Sequence, residues 1–538
     1  MVAQQLLRVD SLQYGYDGGR KFLLARAELT DMQAVDSVRL GAQGYRLLDR
    51  VDYRRPSRVV RDSDTLTLAF TRLPLVVLDA PKGYNRTTKL PGTLRYADDE
   101  QVVIAAVGGR HRGSFSLRFP KKSYDLELRE DATDRVPRDV SLAGMRKDDD
   151  WVLDALYNER ERINSYVVHQ LWLDMHRPYY HLAEPKARAG ADVRYVEVFF
   201  RGSYDGVYML GEQVDRKQLQ LRETKKGEVR GTLYKGVAWT NTTRLLRPAK
   251  LPPPGATEYG GWEVKYPRVD SFDWTALHEL VGFVGNSSDS AFRAGVLERF
   301  TLDNLVDYQL LLNVAYLTDN HGKNTYLARY REGEPYFYAP WDLDASLGNT
   351  HNGQRFENHD GWIANHLFRR LEELNVADYT QRMCDRYVAL RRTVFDPKSL
   401  QGRVDAARDY LETNGVYQRE TARWGNVDLS AAQRNYTDSL VSYRLDFVED
   451  RLCGTSSTVP ISVLQKPLRV YPNPVGSELT VRHDGETSVG YRVYSLVGQQ
   501  LLTGQLPPKE GQIRVDQLVS GTYILQVDGR VSRFVVYR

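Results

Sequence analysis

The chain has 538 residues, 41% of them hydrophobic, and its 74 Lys and Arg against 70 Asp and Glu leave a net charge of +4. That length exceeds one ordinary domain and suggests about three to four, and the near balance of charge creates no demand for nucleic acid as a partner. No run is apolar and long enough to span a bilayer.

The opening MVAQQLLRVDSLQYGYDGG lacks the basic start and apolar core of a secretory signal, so either the protein is cytosolic or a signal peptide is missing from this sequence. Residues 1 to about 70 alternate apolar and polar positions, as in LTDMQAVDSVRL and SDTLTLAFTRL, and are expected to form a β-rich lead-in. LPLVVLDA opens a mixed region reaching about Asp215. Strands are expected there at Gln101–Val107, Ser114–Phe119, Tyr124–Arg129, Arg194–Phe200 and Gly206–Glu212, with a helix from Glu159 to about His176 carried by Ile163, Val167 and Leu171.

Pro252-Pro253-Pro254-Gly255 marks a loop, and residues from about Trp274 to Leu452 are mostly helical in pattern. Within them, Asn304–Leu317 repeats Leu305, Tyr308, Leu312 and Ala315 at helical spacing. Thr325–Arg331 then predicts a strand, Glu332-Gly333-Glu334 its turn and Pro335–Ala339 the return. A hairpin that leaves a polar loop comes back to it, so Asp342 is expected beside Asn324, an oxygen pair suited to a hard cation on phosphates. Asp319 stands five residues before Asn324, the interval between base and metal-binding Asn in a kinase catalytic loop. Taken alone, the same residues also suit a structural loop, since Asp and Asn cap helices and tolerate turns.

Cys384 and Cys453 lie in separate helical segments and are expected as two buried thiols, with one bridge open to them in an oxidising compartment. The ten histidines have no ligand spacing, and His321 is expected to be a solvated loop residue. After Cys453, GTSSTVPISVLQKP has the composition of a linker (453–466). The tail from 467 to 538, with turn signals at Asn473-Pro474-Val475-Gly476, Val497-Gly498 and Ser520-Gly521, predicts a β-sandwich with a core of its own.

Five segments in order are more specific than any one: RGSFSLRFPKKSY, DDDWVLDALYNER, YVEVFFRGSYDGVYMLGEQVD, TDNHGKN and PWDLD. Across roughly residues 70 to 450 they resemble the CotH kinase family of atypical, protein-kinase-like proteins. The resemblance implies an α+β, two-lobed kinase-like domain over 71–452, its first lobe about 71–215 and its second about 216–452. It also implies ATP with Mg2+ or Mn2+, and transfer of the γ-phosphoryl group to Ser or Thr of an extracytoplasmic protein of unknown identity.

Carried over by position, Asp319 is the catalytic aspartate, Asp342 the metal ligand and Asn324 the second ligand, with Asp344 either a further ligand, the preferred reading, or a loop cap. Lys323 would neutralise the transferring group. Arg112 and Gly113 open a turn where backbone can approach a phosphate. Lys122 is the first choice for the phosphate-contacting lysine and Lys121 the second, with Glu159 or Glu161 as helix partner and Leu210-Gly211-Glu212 as an adenine-binding hinge. The chain departs from ordinary kinases in having no His-Arg-Asp, Thr318 at the arginine position, Trp-Asp-Leu-Asp for Asp-Phe-Gly and no full Gly-x-Gly-x-x-Gly. These departures are shared by the family.

LRVYPNPVGSELTV, YRVYSLVGQQL, SGTYILQV and FVVYR resemble the C-terminal sorting domain of type IX secretion, against an ordinary carbohydrate-binding sandwich. That resemblance implies the type IX machinery as partner and secretion, or display on the outer-membrane surface, in a Bacteroidetes-type bacterium. The competing function is an inactive CotH-like surface adhesin. Retention of Asp319, Asn324 and Asp342 together favours the enzyme.

Overall fold

Alternating apolar residues in the first seventy positions build a seven-stranded sheet. Its order is Gln5–Val9, Val35–Leu40, Gln43–Leu47, Ser57–Arg61, Asp64–Thr71, Phe22–Arg26 and Tyr14–Asp17, and it buries Leu23, Val38, Val59, Leu68 and Phe70. The computed structural model describes residues 5–29, 35–131, 136–267, 272–454, 468–483, 485–495, 500–527 and 530–537. They divide into two compact units, Met1–Gly454 and Thr455–Arg538.

The mixed region closes into a barrel in the order Val102–Arg112, Ser123–Arg129, Asp150–Asp154, Ser203–Glu212, Val193–Phe200, Leu75–Asp79 and Leu90–Ala97. Closure removes the exposed edge an open sheet would present, and Tyr96, Leu126, Trp151, Val198 and Tyr208 fill the interior. Two expectations are corrected. Ser114–Phe119 is no strand: Gly113, at φ +108°, turns the chain into a short 3-10 helix, Phe115–Arg118, which ends before Pro120. The helix expected from Glu159 starts at Asn164, because Arg162 takes a left-handed φ of +59°. Glu159 and Glu161 lie in the preceding turn, where the Glu159 carboxylate accepts the Ser165 N–H at 3.0 Å and occupies one of the free donors of that helix end.

Beyond the barrel a five-stranded sheet runs Glu258–Tyr259, Trp262–Tyr266, Thr232–Gly236, Thr325–Arg329, Tyr336–Pro340. The last two strands are the expected hairpin, with Thr325 opposite Pro340 and Arg329 opposite Tyr336. The helix before it spans Leu302–Val314 and is buried along its whole length except the first turn. Asn304 fixes helix to hairpin: its amide accepts from Tyr338 N at 2.6 Å and donates to Tyr338 O at 2.9 Å.

Cys384 and Cys453 form a disulfide with a Cα–Cα distance of 5.3 Å, where two thiols were expected. It joins the helices Tyr379–Leu390 and Ala431–Cys453. The second unit pairs a three-stranded sheet with a four-stranded one over Leu479, Val481, Val493, Leu525 and Phe534. The linker over 455–466 and the Val497-Gly498 turn lie outside the described residues.

Closing a loop of 69 residues by a disulfide contributes roughly 4 kcal/mol in the chain-entropy account. Replacing both cysteines by serine is therefore expected to lower the unfolding temperature by several degrees in calorimetry, and dithiothreitol to do the same to the wild type. Because the second unit holds its own core, deletion of 455–538 is expected to leave the thermal transition of the first unit in place.

Candidate active site

The site is assembled where the hairpin returns to the end of the Leu302–Val314 helix. Asn320 is fully buried, and its amide donates to Asn324 O at 2.8 Å and to Trp341 O at 2.7 Å. Asn324 N donates to Gly236 O at 3.0 Å, and Trp341 N to Asn324 O at 3.2 Å. Asn324 and Asp342 both sit in the left-handed region, at φ +53° and +59°. Two non-glycine residues held there cost free energy that the packed surroundings must offset, a pattern concentrated at functional sites.

Asp319 is gripped at both carboxylate oxygens. Trp239 Nε1 donates to Oδ1 at 2.7 Å and Asn324 Nδ2 to Oδ2 at 2.8 Å, while Lys323 Nζ stands 3.6 Å from Oδ2. With its amide nitrogen committed, Asn324 retains its Oδ1 as an acceptor. His321 packs edge-on to the Trp239 ring at 4.6 Å, and burial pushes its imidazole down to about 4, so it is neutral and half-buried rather than the solvated residue expected.

Asp342 lies 4.0 Å from Arg112, which also pairs with Asp154 at 3.3 Å and stacks 4.8 Å from the Trp341 ring centroid. Asp344 accepts from Asn158 Nδ2 at 2.6 Å. Burial, and then the charges of Asp342 and Asp154, hold its carboxyl well above the usual range. Asp154 is raised by burial as well, with Arg112 opposing the shift. Crowded carboxylate oxygens are the kind of donor a hard divalent cation takes, so the chemistry of this set suits Mg2+ or Mn2+, although the ligand oxygens of Asp154, Asp342 and Asp344 do not all come within 4.8 Å of one another. Elsewhere, Asp139, Asp148 and Asp149 converge within 4.8 Å, but the Lys217 ammonium already stands among them at 3.8, 2.7 and 2.9 Å.

The cleft encloses about 400 Å³, and the barrel side contributes Arg112, Gly113, Asp154 and Asn158 to it. Gly113, at φ +108°, holds a backbone conformation that L side chains rarely adopt, so that turn favours glycine. Several other expected residues are engaged away from the acidic cluster. Lys121 pairs with Glu420 at 2.6 Å and donates to Val207 O at 2.5 Å. Lys122 donates to Leu117 O at 2.7 Å and to Phe119 O. Glu159 caps its helix, and Glu161 pairs with Arg408 at 2.6 Å. Leu210, Gly211 and Glu212 sit inside a barrel strand paired on both sides, and Glu212 accepts from Arg146 N at 3.0 Å and Gln218 Nε2 at 2.8 Å.

Sequence reading missed Trp239, Asp154 and Lys235. Lys235 lies 5.4 Å from the Trp341 ring centroid and 5.8 Å from that of Tyr326, and burial, then Arg112 and Lys265, push its ammonium down to about 7. One signal was present: a lone charge inside the apolar strand pattern TLYKG.

Residues 110–453 match the family described as CotH kinase protein, and the chain belongs to that family. Residues 469–536 match the secretion system C-terminal sorting domain, a tail that indicates a secreted or cell-surface protein. The inner spore coat protein H of Bacillus subtilis (strain 168) is 24% identical over 247 residues, 46% of this chain. The chain spans 60% of the length of that curated relative. A single-mutant thermostable endoglucanase from Alicyclobacillus acidocaldarius and AaCel9A with a cellobiose-like isofagomine are similar at 22% and 21% identity. Each covers 14% of this chain and 15% of its own at a TM-score of 0.12, too little to carry an argument.

Lys121→Met removes one cation from a buried set and is expected to cost about 3 kcal/mol of stability. Chemical denaturation checks it; a loss of nucleotide affinity at unchanged stability would instead make Lys121 a ligand.

Proposed function

We propose that the protein is an exported atypical kinase that transfers the γ-phosphoryl group of ATP to a Ser or Thr hydroxyl of an extracytoplasmic protein. The observation that carries this reading is the double grip on Asp319 by Trp239 and Asn324, with Asp342 across the hairpin base. A purely structural loop has no need of a carboxylate fixed at both oxygens on the wall of a cleft. The barrel lines one side of the cleft and the five-stranded sheet with its loops the other, and in this reading they are the facing surfaces of two kinase-like lobes.

Asp342, Asn324 Oδ1 and Asp344 would hold Mg2+ or Mn2+, which when bound supplies charge neutralisation on the phosphates. Asp319 orients the acceptor hydroxyl and takes its proton as the new O–P bond forms and the bond to the ADP oxygen breaks. Lys323, next to Asp319, faces the charge on the transferring group. The sorting tail directs the chain to the type IX machinery and so to the medium or the outer-membrane surface.

Asp342→Ala is expected to abolish metal-dependent nucleotide binding with the fold intact, measured by thermal shift with ATP and Mn2+; equal stabilisation of mutant and wild type would reject the ligand role. Asp319→Asn keeps the ligands and is expected to retain binding while turnover falls by about 10² or more. Mass spectrometry of the protein after incubation with ATP and metal reads the product. A gain of phosphate supports the kinase, a gain of adenylate replaces it with a nucleotidyl transferase, and no gain with no thermal shift leaves the adhesin.

A further inference from the structure

Four lysines line the cleft, and three have a carboxylate partner: Lys121 with Glu420 at 2.6 Å, Lys265 with Glu263 at 2.7 Å and Lys323 with Asp319 at 3.6 Å. Lys235 is the exception. It stands in register with Glu263 on one neighbouring strand and Tyr326 on the other, yet Glu263 is taken by Lys265. Among the described residues no carboxylate lies within 4.0 Å of its ammonium. Tyr234, the preceding residue, is fully buried in the main core, so strand alternation turns Lys235 to the opposite face, over the Trp341 and Tyr326 rings. A half-buried ammonium without a counter-ion is costly, and aromatic faces offset only part of that cost.

Its position tells what anion it awaits. The carbonyl of the next residue, Gly236, accepts the Asn324 N–H at 3.0 Å, so Lys235 is one residue from the anchor of the loop that carries Asn324. Arg112 and Lys265 line the same cleft, as does Asp342. Arg112 already pairs with Asp154 and Lys265 with Glu263, so Lys235 brings the unpaired charge, and such a set beside an acidic cluster matches a chain of several phosphates, whose charge is too great for one lysine and whose remaining oxygens suit a metal.

We propose that Lys235 is the cation that receives the phosphate chain of the donor, in a polyphosphate subsite completed by Arg112 and Lys265. The assignment deepens the kinase reading and rests on it for the identity of the donor alone. Lys121 and Lys122 then serve the barrel.

The test is calorimetric titration of the full chain with inorganic tripolyphosphate, and separately with ATP and Mn2+. Lys235→Met and Lys235→Gln are each expected to weaken both ligands by about 10- to 100-fold, the range of a lost charge-assisted bond, and Lys235→Arg to restore most of the affinity. Undiminished tripolyphosphate affinity in the Met and Gln variants, or no tripolyphosphate binding by the wild type, overturns the assignment. Tripolyphosphate binding that depends on Lys235 in a protein that forms no product from ATP upholds the subsite and removes the kinase reading alone.

Discussion

The site depends on Asn320. Its buried amide satisfies the carbonyls of Asn324 and Trp341 at once, and Tyr308, from the middle of the Leu302–Val314 helix, places its hydroxyl 2.8 Å from Asn320 O. Loop, hairpin base and helix therefore share one hydrogen-bond node. Trp341 O stripped of this donor in that interior would cost about 1–3 kcal/mol, while Asn324 O keeps the Trp341 N–H at 3.2 Å. The node also accounts for the two left-handed residues: with the carbonyls of 324 and 341 turned inward to Asn320, a positive φ at Asn324 and Asp342 brings their side chains to the cleft.

A second set of buried charges fixes the barrel against the helices. Glu420, on the helix Val416–Trp424, accepts from Lys121 at 2.6 Å, Arg162 at 3.1 Å and Val207 N at 3.0 Å. Its approach requires Gly206, where a Cβ would stand 2.1 Å from Glu420 Oε2. Arg419, on the same helix, pairs with Glu197 inside the barrel wall. Buried pairs of this kind contribute little net stability against apolar packing, but they accept one geometry only. They hold the helix Val416–Trp424 against the barrel, and the Lys121 ammonium is engaged in that set.

The hairpin and its loop were legible because alternation, a Glu-Gly-Glu turn and helical spacing act locally, within about thirty residues. Barrel closure was not, since strands such as Leu75–Asp79 and Asp150–Asp154 are paired with partners distant in the chain, Glu197–Phe200 and Met209–Glu212. The ion pair of Lys121 was not legible for a similar reason: Glu420 lies 299 residues from Lys121. The strand Thr232–Gly236, and Lys235 with it, is a run of only five residues, too short for its periodicity to stand out from a loop. The disulfide was illegible because two cysteines in separate helices do not announce their spacing across a fold.

That disulfide ties the compartment to the site. Disulfides persist where the surroundings are oxidising, which agrees with a sorting tail at residues 469–536. Both helices that it joins hold the Leu302–Val314 helix in place. From one, the Tyr379 hydroxyl donates to Gln309 Oε1 at 2.9 Å and Arg386 Nε to Asp307 at 2.7 Å; from the other, Arg444 Nε donates to Asn313 O at 2.8 Å. The loop carrying Asp319 begins where that central helix ends. Oxidation after export thus braces the element that positions Asp319, alongside the Arg386–Asp307 ion pair on the same helix.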